Sequence, residues 1–496
     1  MSDVESKDID NYHYDEAVEL TGHGWYNRWL LVASSIISMA AALDMFGFTI
    51  VVASATCDLQ LGLKETGLLA SAPFVGVIFA FPWGYYADTR GRWQALMVST
   101  SGGFLMAVLT SLAPTWEVML VLKILSCSFS SVSYTLTMTY VGEAVSSRHR
   151  GRYLFILTGM NLLTEFVSFG LAYLILPLDF RIPITWLSIT FRPWRLFTMV
   201  MAVPLGLGML SLVFLQESPK FLADKGENDK ALAVLRIMYE ANGGNGIEYP
   251  VKQLKIDPSN QTSPTFWRSI VDQTIPIFKP PFLWTTLKLY FLMTICGSTN
   301  NVFLMWMGYP MIVNMFFNAL ADGSNAGASL CQSIAQKLST STNVRHLTCD
   351  DTISPYTLYS GMIYGIFFCI LTLLVAQVAV HRRLVLIATF SIAAASGILL
   401  NVVTQPIAVM VFFTLLQGTT VGIGSVASYF TDLYPTSYRG LVTSMSMMFA
   451  RFASMAGVNL IGATIFHHCA ATFYGWSAFV LSGVAVSMLI PKDKVK

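Results

Sequence analysis

The sequence predicts an all-α membrane protein with 12 transmembrane helices in two pseudo-symmetric six-helix bundles. Three observations predict it. Only 12% of the 496 residues are charged and 54% are hydrophobic, whereas a soluble domain carries roughly 25% charged residues. Twelve apolar runs are each long enough to cross a hydrocarbon core of about 30 Å at about 1.5 Å per residue. Finally, one polar punctuation occurs once in each half. YVGEAVSSRHRG at 140–151 places Glu143 seven before Arg150 and Gly151, and TDLYPTSYRG at 431–440 places Asp432 seven before Arg439 and Gly440, an offset of 289 residues.

Taken in order, residues 1–28 form a polar N-terminal segment. Its first 24 residues hold seven acids and one base, Lys7, the reverse of a secretory leader. The first apolar run, 29–54, is too long for a leader core and reads as a permanent span. Further runs fall near 66–87, 95–113, 117–141, 153–176 and 195–215, completing a bundle over 29–215. Residues 216–283 form a linker whose start, SPKFLADKGENDKALAVLRIMYEANGG, reads as two short amphipathic helices closed by Gly243 and Gly244; the remainder, rich in Pro, Ser and Thr, reads as irregular. The second bundle, 284–490, has runs near 284–307, 355–379, 384–404, 406–430, 441–465 and 469–490, with a polar outer loop at 308–353 and a tail at 491–496. Helices are required because lipid offers the backbone no hydrogen-bond partner.

Lysine and arginine set the orientation. With both termini in the cytoplasm, 21 of the 30 basic residues fall in cytoplasmic segments, six fall outside, and Lys123, Lys288 and Arg451 lie in spans. The expectation is a multi-pass monomer of the plasma membrane or an intracellular vesicle membrane, in contact with the lipid bilayer. The net charge of +2 says nothing about nucleic acid, but no basic stretch has the density such binding needs, and no nucleic-acid partner is expected.

Of seven cysteines, Cys127, Cys296 and Cys369 fall in spans and read as packing residues. Cys331 and Cys349 share the outer loop and are a disulfide candidate; Cys57 and Cys469 also sit near the outer face, so the connectivity stays open. The residues form no set with metal-ligand spacing, and no cofactor is expected. No nucleophile–base pair, phosphate loop or paired catalytic carboxylate stands out, which argues against an enzyme.

A doubled six-span unit with matching polar marks fits two halves around a central cavity. In each half the acid closes one span and the Arg-Gly opens the next. Such pairs couple strongly in a low-dielectric interface and can act as a two-state latch; read singly, they are helix-end anchors.

GYYADTRGRW at 84–93 resembles the loop signature of the major facilitator superfamily, through Gly84, Asp88, Gly91 and Arg92, with Thr89 and Trp93 in place of two usual basic residues. The counterpart VAVHRRL at 378–384 lacks the aspartate and the glycine. FRPWRLF at 191–197 and QESPKFLADKGENDKALAVL at 216–235 resemble sugar porters, organic-ion transporters and synaptic vesicle glycoprotein 2 relatives. AVELTGHGWYNR at 17–28, LDMFGFTIVVASATCDL at 43–59 and STNNVFLMWMGYPMIVN at 298–314 resemble the last group, in particular its insect-type members with a short outer loop. The resemblance implies the major facilitator fold and a cytoplasmic gate: Asp88, Arg92, Glu143 and Arg150 in the first half, Asp432 and Arg439 in the second.

Charges inside a bilayer are costly and mark functional positions. Asp44, Glu165 and Arg451 are expected to line the central cavity, the alternative being an internal ion pair that holds helices together. Lys123 is divided between the cavity and structural pairing, and Lys288 reads as structural. Asn161 shares a helix face with Glu165, and Asn300, Asn301, Trp306 and Gln417 add amide and aromatic groups. Amides with tryptophan suit sugars; carboxylates with aromatics suit organic cations. The expected function is secondary transport of a small organic solute, sugar-like or an organic ion, by alternating access, with Glu165 or Asp44 able to carry a coupling proton. The alternative is a membrane binding or trafficking protein that keeps the fold without transporting.

Overall fold

The structure is a computed structural model that describes residues 11–77, 79–246, 249–254, 275–305, 329–332, 353, 355–377, 381–434 and 436–490. Eleven helices among the described residues are long and apolar enough to cross a membrane. They are spans 1–6 (Trp25–Ala55, Lys64–Arg90, Arg92–Ser111, Trp116–Ala144, Arg148–Ile175, Pro193–Leu212) and spans 8–12 (Pro355–Val375, Arg382–Leu399, Ile407–Phe430, Met445–Ile465, His467–Met488). Span 7, Leu283–Met305, has the length at 23 residues; the run Ser298, Thr299, Asn300, Asn301 lowers its apolarity.

Several spans are broken near mid-depth. Span 1 changes direction at Gly47, between helices Trp25–Phe46 and Phe48–Ala55. Span 4 breaks after Ser130, span 5 after Leu162, and span 10 tightens into a 3-10 turn over Gln417–Val421. Such breaks release backbone groups and redirect side chains, which is tolerated where neighbouring helices satisfy the freed groups. Spans 11 and 12 run on as one helical stretch, Thr436–Met488, with non-helical geometry at His468.

The face carrying the linker is built up by polar structure. The N-terminal strand β1 (Asn11–Tyr12) pairs in parallel with a linker strand, Gln253–Leu254. Helix α1 (Tyr14–Leu20) buries Ala17 and Val18. The linker helices Pro219–Asp224 and Asn228–Ala241 follow, the first capped by Ser218, whose hydroxyl accepts from the Phe221 amide at 3.2 Å. The opposite, far face carries a short hairpin, Ile182–Ile184 against Ile189–Phe191.

The apolar cores show how the halves meet. On the far side one continuous core joins them: Phe74, Phe169 and Phe197 of the first half with Phe303, Tyr364 and Ile461 of the second. On the linker side each half has its own core, around Leu30, Tyr140 and Leu235 in the first and around Leu289, Phe390 and Phe430 in the second. Spans 5 and 8 form a close junction between the halves. A Cβ at Gly365 would meet the Phe166 amide nitrogen at 2.7 Å, so only glycine admits this approach. Nearer the far face, Tyr359 donates a hydrogen bond to the Tyr173 hydroxyl at 2.8 Å.

The disulfide is a correction. Cys331 bonds to Cys469, with Cα atoms 5.6 Å apart, rather than to Cys349. The two lie 138 residues apart in sequence and meet because the start of span 12 packs on the far-face core beside residues 330–331. Cys57 is also disulfide-bonded. Cys127, Cys296 and Cys369 are free thiols.

Candidate functional site

On the linker face of the first half, Arg92 is the hub. Its Nη1 lies 3.2 Å from Asp88 Oδ1 and its Nη2 lies 3.2 Å from Glu143 Oε1. Nη1 also donates to the Ala87 carbonyl at 3.0 Å, and the guanidinium stacks over Phe221 at 5.1 Å. Glu143 uses its second oxygen to accept from the Ser218 hydroxyl at 2.6 Å, and its carbonyl accepts from Tyr14 Oη at 2.7 Å. Arg150 reaches not to Glu143 but to Asp15 of α1, at 3.0 Å.

Span 3 begins at this hub, and its exposed amides need acceptors. Glu217 supplies them: Oε1 accepts from the Arg92 and Trp93 amides at 2.7 and 3.0 Å. A carboxylate at a helix N-terminus is also favoured by the helix dipole. Gly91 makes this possible, with φ at +113° and no Cβ to collide with the Glu217 carboxylate. Gly84, by contrast, has open space where a Cβ would sit.

Deeper in, Asp44 is enclosed. Its Oδ1 lies 2.7 Å from Lys123 Nζ, and the ammonium also donates to the Asp44 carbonyl. Ser126 and Ser130 donate to its Oδ2 at 3.0 and 2.8 Å. The two charged side chains are 3% and 5% exposed, so they neutralise each other inside the first bundle. Thr110 and Thr198 join them around a small void with room for about one water molecule. In this arrangement Asp44 does not line an open chamber as expected, and Lys123 takes the pairing side of its two readings; the internal-pair alternative describes them.

Glu165 and Arg451 differ. Glu165 starts the second segment of span 5, beside Gly365 of span 8. Among the described residues no ion pair or hydrogen bond reaches its carboxylate. Arg451 reaches out of span 11 to the first half, where Nη1 lies 3.0 Å from the Met45 thioether, within electrostatic reach of Cys127 and Tyr134. Neither residue is in an ion pair among the described residues.

The amides mostly join helices. Asn161 donates to the Ser38 carbonyl at 3.4 Å, Asn301 to Ser454 Oγ at 3.2 Å, and Asn300 accepts from Tyr364 Oη at 3.0 Å. Gln417 is fully buried, donating to the Phe413 carbonyl at 3.2 Å with Oε1 unpartnered. Trp306 and Cys349, and the side chains of Asp432 and Arg439, lie outside the described residues.

Residues 34–379 match the family model of the Major Facilitator Superfamily. The chain belongs to the Major Facilitator Superfamily. This is a family of multi-pass membrane transporters, not of enzymes. Among curated relatives, synaptic vesicle glycoprotein 2C of Mus musculus is 28% identical over 233 residues, covering 46% of this chain and 32% of the relative. Synaptic vesicle glycoprotein 2A of Homo sapiens is 27% identical over the same length, covering 46% and 31%. The match thus spans about a third of these relatives' length. Among solved structures, the inward-open xylose transporter XylE from E. coli aligns with a TM-score of 0.67 at 13% identity, over 95% of this chain and 98% of that one. A partially occluded inward-open form gives 0.66, over 95% and 99%. At this identity the likeness shows the fold.

Within this major facilitator chain, Asp15, Glu217, Ser218 and Phe221 join the polar cluster around Arg92, Glu143 and Arg150, and sequence reasoning missed them. Nothing in the spacing of QESPKF from Arg92 announces that Glu217 caps span 3 from 125 residues away. Chemically, the first half presents a fixed polar hub on the linker face and a neutral Asp44–Lys123 pair within. Among the described residues, Glu165 and Arg451 are the mid-span charges without an ion pair, and both lie where the halves face each other.

Proposed function

We propose that the chain is a secondary transporter of a small organic solute, working by alternating access. One observation carries this reading: Glu165 of the first half and Arg451 of the second are buried in part, placed where the two bundles adjoin, and in no ion pair among the described residues. Charge left uncompensated at such depth is costly and is kept where a ligand or a proton completes it. The division of the cores, shared on the far side and separate on the linker side, supports a resting form open toward the linker. The charge distribution of the loops supports a cytoplasmic linker and cytoplasmic termini. Glu165 serves as the proton carrier, since a carboxylate with no fixed counterion can accept and release a proton as its surroundings open and close. Proton coupling accords with one structural neighbour, a D-xylose-proton symporter at 13% identity and a TM-score of 0.64.

The test is uptake into proteoliposomes of the full chain under an imposed pH gradient, across sugars, organic cations and organic anions. Gradient-driven flux of at least one solute, with the gradient dependence lost in Glu165→Gln at equal incorporation, is expected. No flux across the panel, together with stable association with vesicle proteins, would replace this reading with the non-transporting one.

A further inference from the structure

We propose that the linker-face ends of spans 1 and 5 hold the headgroup of an anionic phospholipid, through Arg28, Arg148 and Arg152. The site is on the rim of the first bundle, away from the space between the bundles, and it stands whether or not the chain transports.

Several bases of this face are already neutralised. Arg92 pairs with Asp88 and Glu143, Arg150 with Asp15, and Lys225 and Lys230 with Glu227, all at 2.9 to 3.5 Å. Arg28, Arg148 and Arg152 are exposed and make no ion pair or hydrogen bond among the described residues. Arg148 and Arg152 stand one turn apart on the first helix of span 5, Ser147–Leu162, which contains no acid. Like charges at that spacing repel.

Arg28 comes to them from the first turn of span 1. Both Arg28 and Arg152 act on His23 and on Tyr153, and the Tyr153 Oη lies 3.4 Å from His23 Nε2. Two guanidinium groups therefore converge on one spot from different helices. His149 stacks on His23 there at 4.3 Å. The charged groups that act on the His23–Tyr153 pair are all bases. An anion would relieve the repulsion among them.

The neighbouring aromatic side chains place this spot at headgroup level. Trp25 is 66% exposed and stacks on Trp29 at 6.3 Å, and Trp29 meets the exposed Phe214 edge-on at 5.9 Å. Aromatic groups at the ends of spans settle at the boundary between hydrocarbon and headgroups. Arg28 falls between Trp25 and Trp29 in the chain, so its guanidinium works where lipid phosphates lie. The planar guanidinium takes phosphate oxygens through paired hydrogen bonds. A zwitterionic headgroup brings its own cation and satisfies the cluster less well. A soluble phosphate lacks the acyl chains that the adjoining apolar surface can cover. His23 links helix α1 to span 1, so a bound headgroup also pins the N-terminal segment against span 5.

Thermal unfolding of the purified full chain in a neutral detergent is followed with dioleoylphosphatidylglycerol, dioleoylphosphatidylcholine and inorganic phosphate added in turn. The phosphatidylglycerol is expected to raise the melting temperature, and the other two are not at equal concentration. With the triple change Arg28→Gln, Arg148→Gln and Arg152→Gln, the apparent affinity for phosphatidylglycerol should fall about a hundredfold. A control that removes three bases from the linker, Lys225→Gln, Lys230→Gln and Arg236→Gln, should leave it within about twofold, since charge at a distance is screened. Should the triple arginine variant not fold, Arg28→Gln and Arg152→Gln are measured singly, with a loss of about fivefold expected for each. Equal stabilisation by phosphatidylcholine or by inorganic phosphate, or no response to phosphatidylglycerol, overturns the proposal. So does unchanged affinity in the arginine variants, or an equal loss in the control.

Discussion

Lys123 and Asp44 form a buried ion pair, 2.7 Å from Nζ to Oδ1, that joins span 4 to span 1 inside the first bundle. Two serine hydroxyls complete the carboxylate. A buried pair is weak evidence of net stability, yet losing one partner strands the other. Asp44→Asn or Lys123→Ala should each lower stability by roughly 3–5 kcal/mol. The double change Asp44→Asn with Lys123→Met should recover much of that loss. Thermal unfolding in detergent checks both; independent, additive losses would show that the pair is not coupled.

Gly91 and Glu217 act together at the start of span 3. An alanine at 91 is strained at a φ of +113° and collides with the carboxylate. Gly91→Ala should cost about 2 kcal/mol or more. Glu217→Gln, which keeps an acceptor but loses the charge, should cost roughly 0.5–1 kcal/mol. If the two costs simply add in the double variant, the glycine is not there to admit Glu217.

The N-terminal segment should dock in a pH-dependent way. His23 stacks on His149 with centroids 4.3 Å apart and meets Tyr153 edge-on at 5.6 Å. Desolvation, then His149, Arg28 and Arg152, hold its pKa below the usual value of 6.5. The neutral ring is therefore the docked form. Its contribution is fully present above about pH 6.5 and declines as pH falls through that value toward the lowered folded pKa. Protection factors over residues 11–22, with the intrinsic pH dependence of exchange divided out, should fall between pH 7.5 and 5.5, and His23→Gln should flatten the change. An unchanged profile in that variant would assign the effect elsewhere.

Gly365 should control far-face closure. A valine there would meet the Phe166 amide and the Glu165 Cβ, at 2.7 and 3.1 Å from its own Cβ. Gly365→Val should wedge spans 5 and 8 apart and favour the form open to the far face. A cysteine at Tyr173, otherwise held beside Tyr359, should then react faster with a membrane-impermeant maleimide from that side. Equal reactivity would mean that the junction relaxes without opening.

The sequence by itself determined the class of fold and the doubling. Spans announce themselves because lipid forces long apolar runs and self-satisfied helices, and the repeated acid and Arg-Gly marks are local strings. Asp44, Glu165 and Arg451 could be singled out for the same reason, as charges in apolar company. What each charge faces is a tertiary matter. That Lys123 takes Asp44, that Arg150 turns to Asp15, and that Glu217 crosses to cap span 3 depend on how helices far apart in sequence come side by side. The Cys331–Cys469 bond follows the same rule. A side chain's partner is set by the rotation and depth of two helices at once, and neither string of residues contains that relation.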